Sequence, residues 1–459
     1  MPVNHPSAPS PRLWQPPEPS GDGSADPAAG LVDAQRGLAS CRVYGDAAVF
    51  DLEMERIFTR AWCFVGLEGE IPEPGDYVTR TIGLDPVILV RDEAGTVRVF
   101  HNSCPHRGVM LCQGDAGHTR AFSCVYHGWT FGTDGRFQTA FHPPEFYRGA
   151  VPFDQLGLHP AAQVDTYAGL IFATWDAQAP PLAHTLDDTV RWYFDMFFAR
   201  TPGGMQVLGP PQRWIFEHNW KIGPINFCGD GPHAPLLHGP ISQMAVGESA
   251  EQFMTAIMGD SPDVILGHGS AILLNLSPGT ETPFIGYPPE LVPLYRQSLG
   301  AEQFGFLGRL MTGVATLFPN LSLVHAPVRF EPDQPPVNFL TLRLWQPLAA
   351  GRTEVWNWFL AEREASPEWQ ARMLKAGLRS FSAAGTFDQD DAEAWAGVTR
   401  GIRGPIGQRL NLNFQAVNGW REDMWDDFPG PGQTCRNMFT ECTEFEYLVE
   451  WQRWMDGAR

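Results

Sequence analysis

Between His101 and Gly135 the chain reads HNSCPHRGVMLCQGDAGHTRAFSCVYHGWTFGTDG. Two Cys-His pairs stand in it, Cys104-x-His106 and Cys124-x-x-His127, separated by residues 107 to 123. Two thiolates and two neutral imidazoles on paired short loops can hold metal. A structural zinc site is tetrahedral, and its halves usually read Cys-x-x-Cys or His-x-x-x-His. Here each half supplies one Cys and one His. That mixture suits a two-iron, two-sulfide cluster with both thiolates on one iron and both imidazoles on the other, which raises the reduction potential above that of an all-thiolate cluster. The alternatives are a zinc knuckle or four residues meeting in an ordinary core.

A second chemical stretch, residues 218 to 240, reads HNWKIGPINFCGDGPHAPLLHGP. Asp230 and His233 share a face on a helix, but His238 lies five residues beyond His233, roughly 140° around the axis. The helix must therefore bend or end before His238, and Pro235 favours such an ending. Two imidazoles and one carboxylate form a facial triad that leaves positions open on a ferrous ion. The best carboxylate candidates downstream are the pair Asp390-Asp391, in SFSAAGTFDQDDAEAW. Asp230 itself, before Gly-Pro, can also be a simple helix cap.

The elements that must position these residues follow from the pattern of the chain. Residues 1 to 30 are rich in proline and poor in apolar side chains, which predicts a disordered tail. Val49 to Phe64 has helical periodicity. Glu70 to Phe100 alternates turn signals with strand-like runs, and Tyr167 to Trp175 continues them, so an antiparallel β domain carries the Cys-His loops. Pro180-Pro181 marks a boundary. Beyond it, Leu186 to Phe198, Pro367 to Leu378 and Glu441 to Met455 read as helices; Trp214 to Ile222, Val264 to Leu276, Leu317 to Leu344 and Glu354 to Leu360 read as strands. An antiparallel sheet with helices packed on one side, an α+β layout, is the expectation. The domains predicted are 1–44, disordered tail and lead-in; 45–175, the cluster domain; and 176–459, the catalytic domain.

With 459 residues, 43% of them hydrophobic, the chain can build two or three cored domains. Its net charge of −20 argues against nucleic-acid and anionic-membrane surfaces. No apolar run approaches the ~20 residues of a membrane span, and no signal sequence is evident, so a cytoplasmic location is expected. Six further cysteines, Cys41, Cys63, Cys112, Cys228, Cys435 and Cys442, lack ligand spacing and are expected as buried thiols.

Taken together these stretches resemble a known family. Pro105, Arg107, Gly108, Gly128 and Trp129 complete boxes similar to the CxHRG and CxYHGW of Rieske proteins. From about residue 42 to 455 the chain resembles the α subunit of Rieske non-heme iron aromatic-ring-hydroxylating dioxygenases, in DLEMERIFTRAWCFVG, EIPEPGDYV, NWK, NFCGDGPHAPLLH, LFPNLS and SAAGTFDQDDAEAW. The resemblance implies an all-β Rieske domain and a catalytic domain of helix-grip type. It also implies a [2Fe-2S] cluster on Cys104, His106, Cys124 and His127, and a mononuclear Fe(II) on His233, His238 and Asp391. Asp390 is then a neighbour and not a ligand. Asp230 and Asn226 fall on catalytic positions, with Asp230 joining this iron to the cluster of an adjacent subunit. Phe227, Phe381 and Phe387 fall where the substrate cavity is lined, although aromatics also fill cores. Ile225 and Pro232 depart from the family's Glu and Tyr, which implies a shifted substrate class or site of attack.

The implied reaction is dioxygenation of an aromatic ring to a cis-dihydrodiol. Its electrons come from NADH through a reductase, commonly with a ferredoxin, in a trimer of α subunits that often includes β subunits. Monohydroxylation or demethylation on the same machinery is the near alternative. A plain Rieske electron carrier needs only about a hundred residues and no second metal, and a cluster-bearing scaffold would lack the mononuclear iron. His101, His118, His268 and His325 read as ordinary hydrogen-bonded residues, and Arg329 as a solvated strand end.

Overall fold

The computed structural model describes residues 26–142, 144–239, 261–277, 283–331, 333–420 and 424–457. Three antiparallel strands, Asp76–Ile82, Asp85–Arg91 and Val97–His101, form a meander in register Tyr77↔Val90 and Leu89↔Val99, with Ala116–His118 on its outer edge. A second small sheet joins Ala121–Ser123, Thr130–Gly132 and Phe137–Thr139. The first Cys-His loop follows the strand ending at His101, and the second is the connection between Ser123 and Thr130. A third sheet pairs Gln163–Tyr167, Leu170–Thr174 and Cys63–Leu67. The predicted helix at Val49 to Phe64 is shorter: helical turns run from Ala47 to Phe58, and Phe64 belongs to a strand.

Beyond residue 180, nine strands among the described residues make one antiparallel sheet. They are β1 (Met205–Val207), β2 (Gln212–Phe216), β3 (Asp263–Gly267), β4 (Ser270–Leu276), β5 (Leu310–Leu317), β6 (Leu321–Val328), β7 (Val337–Ala349), β8 (Arg352–Glu362) and β9 (Gln433–Cys435). Their order is β1-β8-β7-β6-β5-β4-β3-β9, with β2 also on β8. Among the described residues the α-helices of five residues or more in this part are α1 (Asp188–Phe198), α2 (Ile222–Phe227), α3 (His233–Leu237), α4 (Val292–Ser298), α5 (Ala301–Arg309), α6 (Pro367–Ser380), α7 (Thr386–Ile402) and α8 (Cys442–Met455). The run read as strand from Trp214 to Ile222 divides: β2 ends at Phe216 and α2 starts at Ile222.

Side chains alternate across the sheet with period two, so each strand serves two cores. Leu340, Leu342 and Leu344 of β7 and Trp356 and Trp358 of β8 face α1, α4 and α5 together with Phe64 and Phe172 of the cluster part. Phe339, Trp345 and Val355 face α2, α6, α7 and α8. The expectation of helices on one side is thereby corrected. Both faces of the central strands are apolar, and both are covered. The helices α2 and α7, which carry the candidate residues Asn226 and Asp391, belong to the second face, and Ala234 of α3 packs against Leu273 and Met438.

The start of the chain is corrected too. Residues 1–25 lie outside the described residues, but Ala28 of the stretch read as tail is buried, as is Leu31 just beyond it. The segment Leu38–Ser40 pairs with Asn411–Asn413, and Gln452 of α8 donates to the Ala28 carbonyl at 2.9 Å. Proline content misled here because tertiary partners offset the ordering entropy of a short segment. Nearby, Lys221 is wholly buried and pairs with Glu53, whose carboxylate also accepts from Trp220 Nε1 and Trp451 Nε1 at 2.8 Å each. The NWK motif thus ties α2 to the entry helix and to α8. The six extra cysteines are buried thiols outside any disulfide, as expected.

Candidate metal centres

The two Cys-His loops share one construction. In the first, the Cys104 carbonyl accepts from Gly108 N and Cys104 N donates to the Val109 carbonyl, both at 2.8 Å. In the second, the Cys124 carbonyl accepts from Gly128 N at 3.0 Å and Cys124 N donates to the Trp129 carbonyl at 2.8 Å. Each loop closes through a glycine in the left-handed region, φ 77° at Gly108 and 66° at Gly128, where a side chain is disfavoured. The His106 and His127 rings meet edge to face with centroids 4.5 Å apart, and His106 stacks on Trp129 at 4.5 Å. Cys104 and Cys124 are both buried. Burial, and then the neighbouring His127, push the His106 pKa down, which favours the neutral imidazole a metal requires.

Asn102 holds the end of the first loop. Its Oδ1 accepts from Leu111 N and Cys112 N at 3.0 Å, and its Nδ2 donates to the Cys112 carbonyl at 2.7 Å. Sequence reasoning missed it; an Asn two residues before Cys104, between an apolar strand and the Cys-His loop, was the available signal.

The second centre gathers residues from two distant helices. His233 and His238 bracket α3, which ends at Leu237 as the spacing required. Asp391 comes from α7. Its Oδ1 lies 3.2 Å from His238 Nε2 and 3.7 Å from His233 Nε2, and one ligand atom from each of the three residues falls within 4.8 Å of the others. Close approach under α3 is needed: a Cβ on Gly231 would sit 2.3 Å from Met438 Cγ.

Asp230 is no cap, because α3 starts at His233 after Pro232 and has no side-chain cap. It sits behind His233 instead, Oδ1 to Nδ1 3.6 Å, while its backbone carbonyl also faces Nδ1. Asn226 Nδ2 donates to Asp230 Oδ2 at 3.1 Å and lies 3.4 Å from His233 Nδ1. Burial opposes ionisation of Asp230, but the hydrogen bonds to His233 and Asn226 hold its carboxyl below the ordinary range. Burial also disfavours the charged imidazole, yet Asp230 and then Asp391 push the metal-free His233 up to about 9.

Phe387 meets the His238 ring edge to face at 5.2 Å and stacks on Phe381 at 5.3 Å. Phe227 instead packs against Trp345, buried, with the Arg343 guanidinium 5.1 Å from its ring. That arginine was also missed. It lies fully buried in β7 and donates to Asp388 of α7 at 2.5 Å. Asp388 is one turn before Asp391, so the pair anchors the helix bearing Asp391 to the sheet; burial, opposed by Arg343, pushes Asp388 up to about 6. A lone arginine in the apolar run LTLRLW was the available signal.

The four histidines read from sequence as ordinary residues make contacts elsewhere. His101 contacts Ser103 and His118 contacts Asp76; His268 lies in a turn against His184, and His325 is buried against Tyr287. Arg329 follows the end of β6. A cleft of about 640 Å³ lined by Trp62, Trp175 and Trp454 holds none of the residues singled out for either centre.

Comparison with known proteins agrees with this arrangement. Residues 61–151 match the Rieske [2Fe-2S] domain, and residues 185–424 match the ring hydroxylating alpha subunit catalytic domain. The chain belongs to the ring-hydroxylating Rieske oxygenase α subunits. It is 34% identical to the biphenyl dioxygenase α subunit of Paraburkholderia xenovorans, over 87% of this chain and 88% of that one. It is also 34% identical to the N,N-dimethyl phenylurea N-demethylase α subunit of a Sphingobium species, over 91% of each. The naphthalene 1,2-dioxygenase of a Rhodococcus species bound to indole superposes with a TM-score of 0.85 and 33% identity, covering 91% of this chain and 94% of that one.

The cofactors of a Rieske oxygenase suit the residues present. In the α subunit His106 Nδ1 and His127 Nδ1 are buried without hydrogen-bond partners among the described residues, beside two buried thiols, whereas most buried polar atoms of native proteins are paired. At the second centre Asp391 Oδ1 is likewise buried without a hydrogen bond. Both donor sets are what a Rieske cluster and a ferrous facial triad take. No helix of the described residues is long and apolar enough to cross a membrane.

Proposed function

We propose that this α subunit adds both atoms of dioxygen to an aromatic ring, giving a cis-dihydrodiol. Electrons would come from NADH through a reductase, with a ferredoxin between. Cys104, His106, Cys124 and His127 would hold the cluster, and His233, His238 and Asp391 the ferrous ion. When bound, these groups supply one-electron transfer and dioxygen activation. The chain's own residues do the rest. Asp230, with Asn226, fixes the tautomer and ring orientation of His233. Phe381 and Phe387 offer aromatic faces beside His238, and Phe227 backs the helix that carries Asn226. Holding a flat ring next to the reacting centre is the positioning contribution of such a wall. The convergence of His233 Nε2, His238 Nε2 and Asp391 Oδ1 is the observation that carries this reading.

The cluster domain is drawn at 45–175 and the catalytic domain at 176–459. In support, the strand Leu170–Thr174 closes the β segments before α1 opens the second part. Assembly as a trimer of α subunits, with or without β subunits, is favoured by exposed apolar side chains near both centres. Met110, Val125, Tyr126 and Phe141 stand on or beside the cluster loops and Leu236 on α3, and exposed patches of this kind mark interfaces.

The test is turnover of the purified chain with its reductase partners, NADH and a panel of arenes and aromatic acids, with products identified by mass under labelled dioxygen. A diol carrying two labelled oxygens is expected. A second reading, N-demethylation, is favoured by the identity to the phenylurea N-demethylase. With an N-methyl arylurea added to the panel, loss of one methyl group as formaldehyde, one atom of dioxygen going to that aldehyde and the other, with two electrons from NADH, to water, would establish it in place of the first.

A further inference from the structure

Each histidine of the second centre turns one nitrogen to Asp391 and the other away, and the two turned-away nitrogens meet different surroundings. His233 Nδ1 has the Asp230 carboxylate, the Asp230 carbonyl and Asn226 around it. His238 Nδ1 is buried and has no hydrogen-bond partner among the described residues. The Asp390 Oδ2 atom is also buried and also has none. These two atoms face each other at 3.6 Å.

We infer that Asp390 is a positioning residue, the acceptor for His238 Nδ1–H, as Asp230 is for His233. This rests on the metal-centre assignment above. Buried polar atoms are paired in native proteins, and a donor and an acceptor that lack other partners and face each other are a pair short of closure. Hydrogen-bond length is reached by a shift of about 0.5–1 Å. With the proton held on Nδ1, the Nε2 lone pair is directed to the side where Asp391 Oδ1 sits 3.2 Å away. Phe387, Asp390 and Asp391 stand at i, i+3 and i+4 on α7, the spacing that shares one helix face. All three reach His238. One face of α7 therefore supplies an aromatic wall, an acceptor and a ligand to a single imidazole. The adjacent aspartates divide the work, and Asp390, a bystander by sequence, gains a task.

The experiment uses the full chain, depleted of its mononuclear metal with the cluster retained, and titrates it with Co(II), followed by the cobalt d–d absorption. Asp390→Ala should weaken Co(II) binding about 10–100-fold, the range for loss of such a carboxylate partner, and should shift the cobalt band. Asp390→Asn keeps an acceptor oxygen and should recover most of that loss. Thermal unfolding and the cluster spectrum should match wild type in both, since the side chain is 29% exposed. His238→Ala is the control and should abolish tight binding. If His238→Ala binds poorly while Asp390→Ala binds like wild type, the inference fails and the site assignment stands. It also fails if Asp390→Asn is no better than Asp390→Ala. Normal binding by His238→Ala would overturn the site assignment itself.

Discussion

The two metal centres are built in opposite ways. The residues proposed for the cluster fall between Cys104 and His127, on two loops of like construction, each closed by its own glycine turn. The second centre draws two histidines from the ends of α3 and a carboxylate from α7, more than 150 residues later. Its geometry depends on a nine-stranded sheet, on the Arg343–Asp388 pair and on the packing of Gly231 under Met438. A site made by local turns is insulated from distant changes. A site made by packing inherits every disturbance of the sheet that supports it.

The largest effects should come from exchanging ligands, which tests whether the two centres are independent. Fully loaded protein should carry about three irons and two sulfides per chain. Cys104→Ala or Cys124→Ala should remove the sulfide and the visible spectrum while leaving one mononuclear iron. His233→Ala or Asp391→Ala should remove one iron and leave the spectrum intact. Turnover should vanish in all four, and loss of the cluster spectrum in the His233 or Asp391 variants would break the separation.

A middle-sized effect addresses the link between the centres. Asp230→Asn retains an acceptor for His233 but loses the charge. It should keep its fold, its cluster and most of its mononuclear iron. Single-turnover electron delivery from reduced cluster to iron should nevertheless slow by about 100-fold or more, the upper range for loss of a supporting carboxylate. A rate near that of wild type, measured by rapid-quench or freeze-quench spectroscopy, would make Asp230 a purely local support.

The smallest expected effect is on stability, and it sharpens the contrast most. Arg343→Met leaves Asp388 buried without its cation, a change that costs about 3 kcal/mol when a buried pair is broken. Because Asp388 precedes Asp391 by one turn, the variant should also hold mononuclear iron less tightly. The cluster spectrum should not move. Denaturant unfolding and iron analysis on the same samples check both halves. A changed cluster spectrum would show that the cluster loops depend on this sheet after all.

Much of the chemistry was legible because it is short-range. Cysteine and histidine within a few residues on Gly-bearing turns can meet in few ways, so spacing sufficed to nominate a candidate cluster set, whose two histidine rings meet in the structure. The break in helical phase between His233 and His238 foretold where α3 ends. Choosing Asp391 over Asp390 needed the family resemblance, since adjacent carboxylates on a helix differ only in direction. The antiparallel strands and the C-terminal helices were readable from periodicity, whereas the strand-to-helix change at residues 217–221 was hidden because Trp214, Phe216, Trp220 and Ile222 keep strand-like alternation across polar residues.

What the sequence determined by itself is the inventory: four candidate cluster residues on one stretch, two histidines at the ends of one short helix, and a distant pair of aspartates. Tertiary structure alone decided the partnerships. It set helices on both faces of the sheet, packed residues 28–44 against α8 and the Asn411–Asn413 strand, paired Arg343 with Asp388, and turned Asp390 toward His238. Local spacing is governed by backbone geometry over a few residues. Contacts across a hundred or more residues are selected by burial and by the need to satisfy buried polar atoms, which no local pattern encodes.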